Sequence, residues 1–385
     1  MKRILKNLIF ISLLSLIPTV IIWIPFFLKL KSIWGIPLPN GGMATIVSNY
    51  DGPLFIVIAK TFYNIAQIKA NYSFPLPTEY YAAHFPLFPV IIKIFAFIFG
   101  FPYGMLVATL ISSILAIYFF NKLIRRYVEE KEALWITFVF CLFPARWLVV
   151  RSVGSAEPLF LAAIIASVYY FQSKKYWQAG VWGAIAQLTK SPGILLFIAY
   201  LGVIMLPQFK RLATEKFQIW ARELNWKAYP ILFIPISLLG IFVLYKFTFN
   251  DFFAYFHSGD NVHLMFPPFS IFNSSQSWVG TFWLEEVIFV YLFGILGLLQ
   301  LIKQRENILA AVVGVFFTSL LFVAHRDLIR YSLPIVPFLF VAFANVIIKK
   351  EFKIVMAILA LPIFLFSISY ISQNVMPIGN WSPFL

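Results

Sequence analysis

Long apolar runs constrain this chain more than any other feature. The first, 8–28, follows Lys2, Arg3 and Lys6, and at about 1.5 Å per helical residue it is long enough to cross a hydrocarbon core of roughly 30 Å. Lipid offers its backbone no partners, so the run must form a helix that satisfies itself. Similar runs follow at 103–120, 134–150, 156–172, 178–190, 192–206, 230–249, 286–302, 308–324, 332–348 and 354–372. The expected fold is an all-α polytopic membrane protein with about 11 transmembrane helices, a single transmembrane domain over 1–385. With 61% hydrophobic and only 12% charged residues, a set of soluble domains and a disordered chain are both excluded.

Basic residues fix the threading. The net charge of +15 is dispersed in short clusters between the apolar runs, which is the pattern of cytoplasmic loops, so nucleic acid is excluded as a partner. Lys2-Arg3, Lys122 with Arg125 and Arg126, Lys174-Lys175, the segment 207–229, Lys303 with Arg305, and Lys349-Lys350 all fall on one side if 85–99 does not cross. That stretch is short, opens with Pro86 and Pro89 and carries Lys93, so it reads as a juxtamembrane helix in the outer interface. The N-terminus is then cytoplasmic, and segments 29–102 and 250–285 form two long extracytoplasmic loops. Within the basic cytoplasmic loop 207–229, Phe217, Trp220 and Leu224 stand at helical spacing, suited to lying on anionic headgroups. The pair 178–190 and 192–206 is broken at Thr189-Lys190-Ser191-Pro192-Gly193, leaving a full crossing or a hairpin open. The one cysteine, Cys141, permits no intrachain disulfide.

With that threading, Asp51, Glu79, His84, Arg151, Glu157, Lys190 and all four histidines face outward, and few ionisable groups remain near the midplane. Such a distribution favours a site at one membrane face over an ion path. Asp51 precedes a helical run at 54–68, as an N-cap or as an exposed base. Glu157 opens the fourth span, either as a charge favoured by the helix dipole or as a site residue. The Lys190 break is a plain turn or a phosphate site in which a cation meets free backbone amides. Arg326 and Arg330, four apart beside His325 and Tyr331, either snorkel or present one face that grips an anion. His257, Asp260 and His263 are weak metal candidates in an irregular loop, without a Cys or Glu to complete a set.

Taken in order, Tyr50-Asp51-Gly52, His84-Phe85-Pro86-Leu87-Phe88-Pro89, Ser155-Ala156-Glu157-Pro158, Thr189-Lys190-Ser191-Pro192-Gly193 and Arg330-Tyr331 with Leu333-Pro334 and Pro337 resemble the GT-C superfamily of polyprenol-phosphate-sugar-dependent membrane glycosyltransferases, nearest to its PIG-V-like mannosyltransferase branch. The branch usually has Trp where Tyr50 stands and Arg-x-Asn-Gly where Lys190-Ser191-Pro192-Gly193 stands. The resemblance implies a GT-C hexosyltransferase moving one sugar, with inversion, from a polyprenyl or dolichyl phosphate donor to an acceptor hydroxyl on a glycan, lipid or protein. It implies Asp51 and Glu157 as catalytic residues, and His84, Lys190, His325, Arg326, Arg330 and Tyr331 as substrate contacts. No cofactor is required and a divalent metal is not expected; phosphate is a good leaving group, so a general acid is dispensable. The setting is a bacterial or archaeal plasma membrane or an endoplasmic reticulum. The competing expectation is a lipid-linked-sugar flippase or small-molecule transporter, which would favour mid-bilayer charge pairs and repeat symmetry.

Overall fold

The computed structural model describes residues 2–212, 225–259, 263–273 and 284–385. The expected amphipathic positions Phe217, Trp220 and Leu224, and Asp260 among the metal candidates, lie outside the described residues. Helices dominate, joined by a small antiparallel ribbon pairing Ser32–Ile33 with Ile36–Pro37. Among the described residues, five helices are long and apolar enough to cross a membrane: Leu8–Phe27, Leu87–Ile124, Trp226–Thr248, Glu285–Lys303 and Lys350–Gln373. The surface of the molecule is apolar, with Phe97, Phe247 and Ile358 exposed, whereas Thr109, Ser112, Ser113, Asn121 and Thr137 are buried. Hydroxyls and small residues inside with Phe and Ile outside are what lipid selects for.

Helices occupy each of the expected positions, but several are short or bent, so among the described residues five or six rather than about eleven are long and apolar enough to cross. Glu130–Leu142 and Ala145–Arg151 meet at 73° where Pro144 interrupts the run, so together they would make a sixth span. Glu157–Gln172, Ser191–Leu206, Asn307–Leu320 and Leu328–Ala342 are apolar but fall short of a full crossing. The expected helical run at 54–68 divides into Gly52–Thr61 and Ile65–Asn71, and the first of these is buried almost all round. Arg151 does not face outward as expected. It is fully buried and donates to the carbonyls of Cys141 and Ser15, a tie between two helices.

Residues 85–99 form their own arm. Gly100, at φ 72° and ψ 164°, breaks the Leu87–Ile124 helix, in a conformation L-residues rarely adopt. A Cβ on Gly104 would stand 2.7 Å from the Ala96 nitrogen, although eight residues of straight helix span about 12 Å. The arm therefore folds back on the helix that follows it, and Ile94, Phe97 and Ile98 point away from the protein.

Candidate active site

Three turns and one helix break carry the polar groups to one end of the bundle. The Asp51 turn is pinned by the end of the chain: Asn49 Nδ2 donates to the Ile371 carbonyl at 2.7 Å, and the Met376 amide to the Ser48 carbonyl at 2.8 Å. Gly52 lets this turn abut the next one, since a Cβ there would lie 2.5 Å from the Val47 carbonyl and 3.3 Å from that of Gly154. The neighbouring turn carries Glu157 at the first position of Glu157–Gln172. Lys190 joins Tyr176–Thr189 to a short 3-10 turn at Ser191–Gly193. Arg330 lies on the short helix Leu328–Ser332, and a bridge between Leu264 and Val323 brings His263 to the same region.

These elements enclose a cavity of about 340 Å³. Asp51, His84, Glu157, Lys190, Ser191, Arg330, Tyr331 and His263 line its polar part; Phe160, Leu195, Leu238, Phe242, Phe316 and Leu320 belong to its apolar wall. Lys190 Nζ meets Glu157 Oε1 at 2.6 Å, and the other Glu157 oxygen accepts from the Ser155 hydroxyl. Arg330 stands 3.6 Å from Glu157, 3.7 Å from Asp327 and 3.9 Å from Asp51, each beyond a normal hydrogen bond. Its charge is balanced by three carboxylates while its planar fork stays uncommitted to those three.

Asp51 makes no capping hydrogen bond to the helix it precedes, so its side chain is free to turn toward His84 Nε2, 3.8 Å away, and toward Arg330. It is 34% exposed, open to the cavity. Burial pushes its carboxyl up, but His84, Arg330 and Lys190 outweigh that and hold it below the usual carboxylate range. His84 is buried edge-on to Phe55, and its Nδ1 has no hydrogen-bond partner among the described residues. Tyr50 adopts φ 49°, a conformation unusual for an aromatic residue, and places its ring under Arg330 at 4.8 Å.

Some expected site residues lie elsewhere. Arg326 is exposed and precedes the Leu328–Ser332 helix, so it shares no helix face with Arg330 and does not line the cavity. His325 does not line the cavity; its ring packs at a tilt against His263 at 4.3 Å and Tyr331 at 5.3 Å. Burial first, then His263 and the nearby arginines, holds it down to about 3. His257 pairs with Asp251 at 2.5 Å in an exposed loop. Among the described residues, no group of three or more potential metal ligands forms.

Two residues stand close to the site without having been expected in it. Asp327 lies behind Arg330, and Arg146 contacts Asp327 at 2.9 Å. An arginine two residues after Pro144 inside an apolar run was the available signal, because an intramembrane cation seldom lacks a purpose.

The architecture defined by these elements is the GT-C type of polytopic membrane fold. It is similar to ArnT from Cupriavidus metallidurans bound to undecaprenyl phosphate, with a TM-score of 0.58 and 15% identity over 90% of this chain and 63% of ArnT. The oligosaccharyltransferase of Archaeoglobus fulgidus, in complex with Zn and sulfate, matches with a TM-score of 0.50 and 14% identity over 96% of this chain and 54% of that one. A structure of AglB from the same organism, in complex with an inhibitory peptide and a dolichol-phosphate, gives a TM-score of 0.50 at 15% identity, covering 96% of this chain and 56% of AglB. The chain thus spans less than two thirds of each of these proteins. No protein-family model and no curated protein sequence matches it. At such identities the likeness is one of fold.

Proposed function

We propose that this protein is an inverting membrane glycosyltransferase that takes one sugar from a polyprenyl or dolichyl phosphate donor and gives it to an acceptor hydroxyl on the extracytoplasmic face. The observation that carries this reading is a single cavity in which a partly exposed carboxylate, Asp51, faces two cations, Arg330 and Lys190, beside an apolar wall. A donor with a phosphate at the head and a polyprenyl tail matches that division of polar and apolar surface. The structures of ArnT with undecaprenyl phosphate and AglB with dolichol-phosphate are in keeping with it.

In this mechanism the acceptor oxygen attacks the anomeric carbon while its proton passes to Asp51. The bond from that carbon to the phosphate oxygen breaks, and the electron pair leaves with polyprenyl phosphate. Arg330 and Lys190 stabilise the departing charge in a poorly hydrated site, and Glu157 orients both cations. The donor also tunes the base: as phosphate draws Arg330 and Lys190 to itself, the pull that keeps Asp51 weakly basic is relieved. His84, near the same Asp51 oxygen as Arg330, steadies the carboxylate, and Tyr331 supplies a ring wall for the sugar, with His325 packed against it. Arg330 and Lys190 fill the role a metal plays elsewhere, so the mechanism requires none. The proposed sugar is a hexose, with mannose following from the PIG-V-like pattern.

Mass spectrometry of lipid that copurifies with the protein tests this reading. Polyprenyl phosphate or its sugar ester is expected in the wild type and depleted in Arg330→Gln. Movement of lipid-linked sugar across vesicles without a new glycosidic bond would overturn it in favour of a flippase.

A further inference from the structure

Asp327 is the third carboxylate around Arg330, and it does not line the cavity. Its place in the sequence, immediately before the Leu328–Ser332 helix, suits an N-cap, yet its side chain makes no capping hydrogen bond. Polar groups from distant parts of the chain instead approach the carboxylate. Arg146 Nε lies 2.9 Å from Oδ1, the Tyr50 hydroxyl donates to Oδ2 at 3.3 Å, and the Tyr370 hydroxyl reaches Oδ2 at 3.5 Å. Arg146 is itself fixed, its guanidinium stacked 3.6 Å over the Tyr370 ring and donating to the Tyr50 hydroxyl at 3.4 Å. Asp327 and Arg146 are both largely buried, at 7% and 11% side-chain exposure, so this cluster faces protein rather than substrate.

The charge count gives the arrangement a consequence. Asp51, Glu157 and Asp327 balance Lys190, Arg330 and Arg146, so the cluster without a donor is close to neutral. Arg330 sits at nearly equal distance from all three carboxylates. Without Asp327 behind it, the guanidinium would be drawn forward into a direct pair with Asp51 or Glu157. Its fork would then be occupied and turned from the phosphate.

We infer that Asp327, paired with Arg146 and flanked by the Tyr50 and Tyr370 hydroxyls, is a positioning residue that holds the Arg330 guanidinium back from Asp51 and Glu157 and keeps it directed at the donor phosphate. The inference rests on the donor reading above. A second-layer carboxylate of this kind acts through Arg330 alone and touches no substrate.

Binding of undecaprenyl phosphate to the detergent-purified full chain separates the alternatives, because they differ in sign. If Asp327 merely adds negative charge near the site, Asp327→Asn tightens phosphate binding. If it positions Arg330, Asp327→Asn weakens binding on the order of tenfold, a loss common when the partner that orients a ligand group is removed. The variant leaves Arg146 unpaired and is at risk of misfolding, so the decisive protein is Arg146→Gln/Asp327→Asn, which keeps the charge balance and is checked by its melting temperature. Weakened binding in the folded double variant, partly restored by Asp327→Glu alone, is the expected result. Wild-type affinity in the double variant would overturn the inference and reduce Asp327 to a counter-ion for Arg146. Failure of the wild type to bind undecaprenyl phosphate would instead remove the donor reading beneath it.

Discussion

Replacing Gly52 by alanine tests how the carboxylate-bearing turn is built. The added Cβ would lie 2.5 Å from the Val47 carbonyl oxygen, 3.2 Å from the Met105 methyl and 3.3 Å from the Gly154 carbonyl oxygen. The methyl can swing aside, but two of the three obstacles are backbone. Reaching the 3.4 Å of an ordinary contact requires the turn to move by close to 1 Å relative to Val47. Segment 48–50 cannot follow freely, because Asn49 and Ser48 are bonded to Ile371 and Met376. The displacement therefore falls on Asp51 and on its spacing to His84 and Arg330. Overpacking of this kind costs about 1–3 kcal/mol, and a catalytic group misplaced by about 1 Å loses on the order of a hundredfold in rate. Melting of the detergent-solubilised protein and sugar transfer in proteoliposomes measure the two effects separately. A Gly52→Ala protein with wild-type melting and turnover would refute the reasoning. Met105→Ala in the same background should not rescue it, since the backbone contacts remain.

Arg330→Lys should lower turnover by about a hundredfold or more, because a point charge replaces the oriented fork, whereas Arg326→Gln, exposed and outside the cavity, should stay within a few-fold in the same transfer assay. His325 is kept neutral in the fold by burial first and neighbouring charge second, with a value near 3 against an ordinary 6.5, so the unfolded chain takes up the proton that the folded chain refuses. Stability is thus expected to fall as the pH drops from 6.5 toward 3, and His325→Gln should flatten that fall in melting curves at pH 7 and 5. Cysteine-accessibility labelling at Glu129 and Ser270 is expected to report opposite faces of the membrane; the same face for both would invert the threading.

Much of the fold is legible because lipid is a demanding solvent, and apolar runs mark each helix whatever its partners. Run length alone does not show where a helix stops. Pro144 bends one expected span by 73°, and Gly100 folds the 85–99 arm back on its successor, both through local backbone restrictions that hydropathy ignores. The residues of the candidate site were legible where they sit at helix ends among proline and glycine: Asp51, His84, Glu157, Lys190, Arg330 and Tyr331 line one cavity. Sequence spacing misled at Arg326, because four residues make one face only if the helix already runs, and here it begins at Leu328. The pairing of Asp327 with Arg146 escaped notice for a different reason. The two meet across 181 positions of chain, and nothing local to either announces the other.

Comparing Asp51→Asn with the wild type for transfer of sugar from a polyprenyl phosphosugar is the most direct measurement of the central claim. The amide nearly preserves the shape of the carboxylate while removing its basicity, so the account predicts a folded, membrane-inserted protein whose transfer falls by at least about a hundredfold. Near-wild-type transfer by that variant would contradict it.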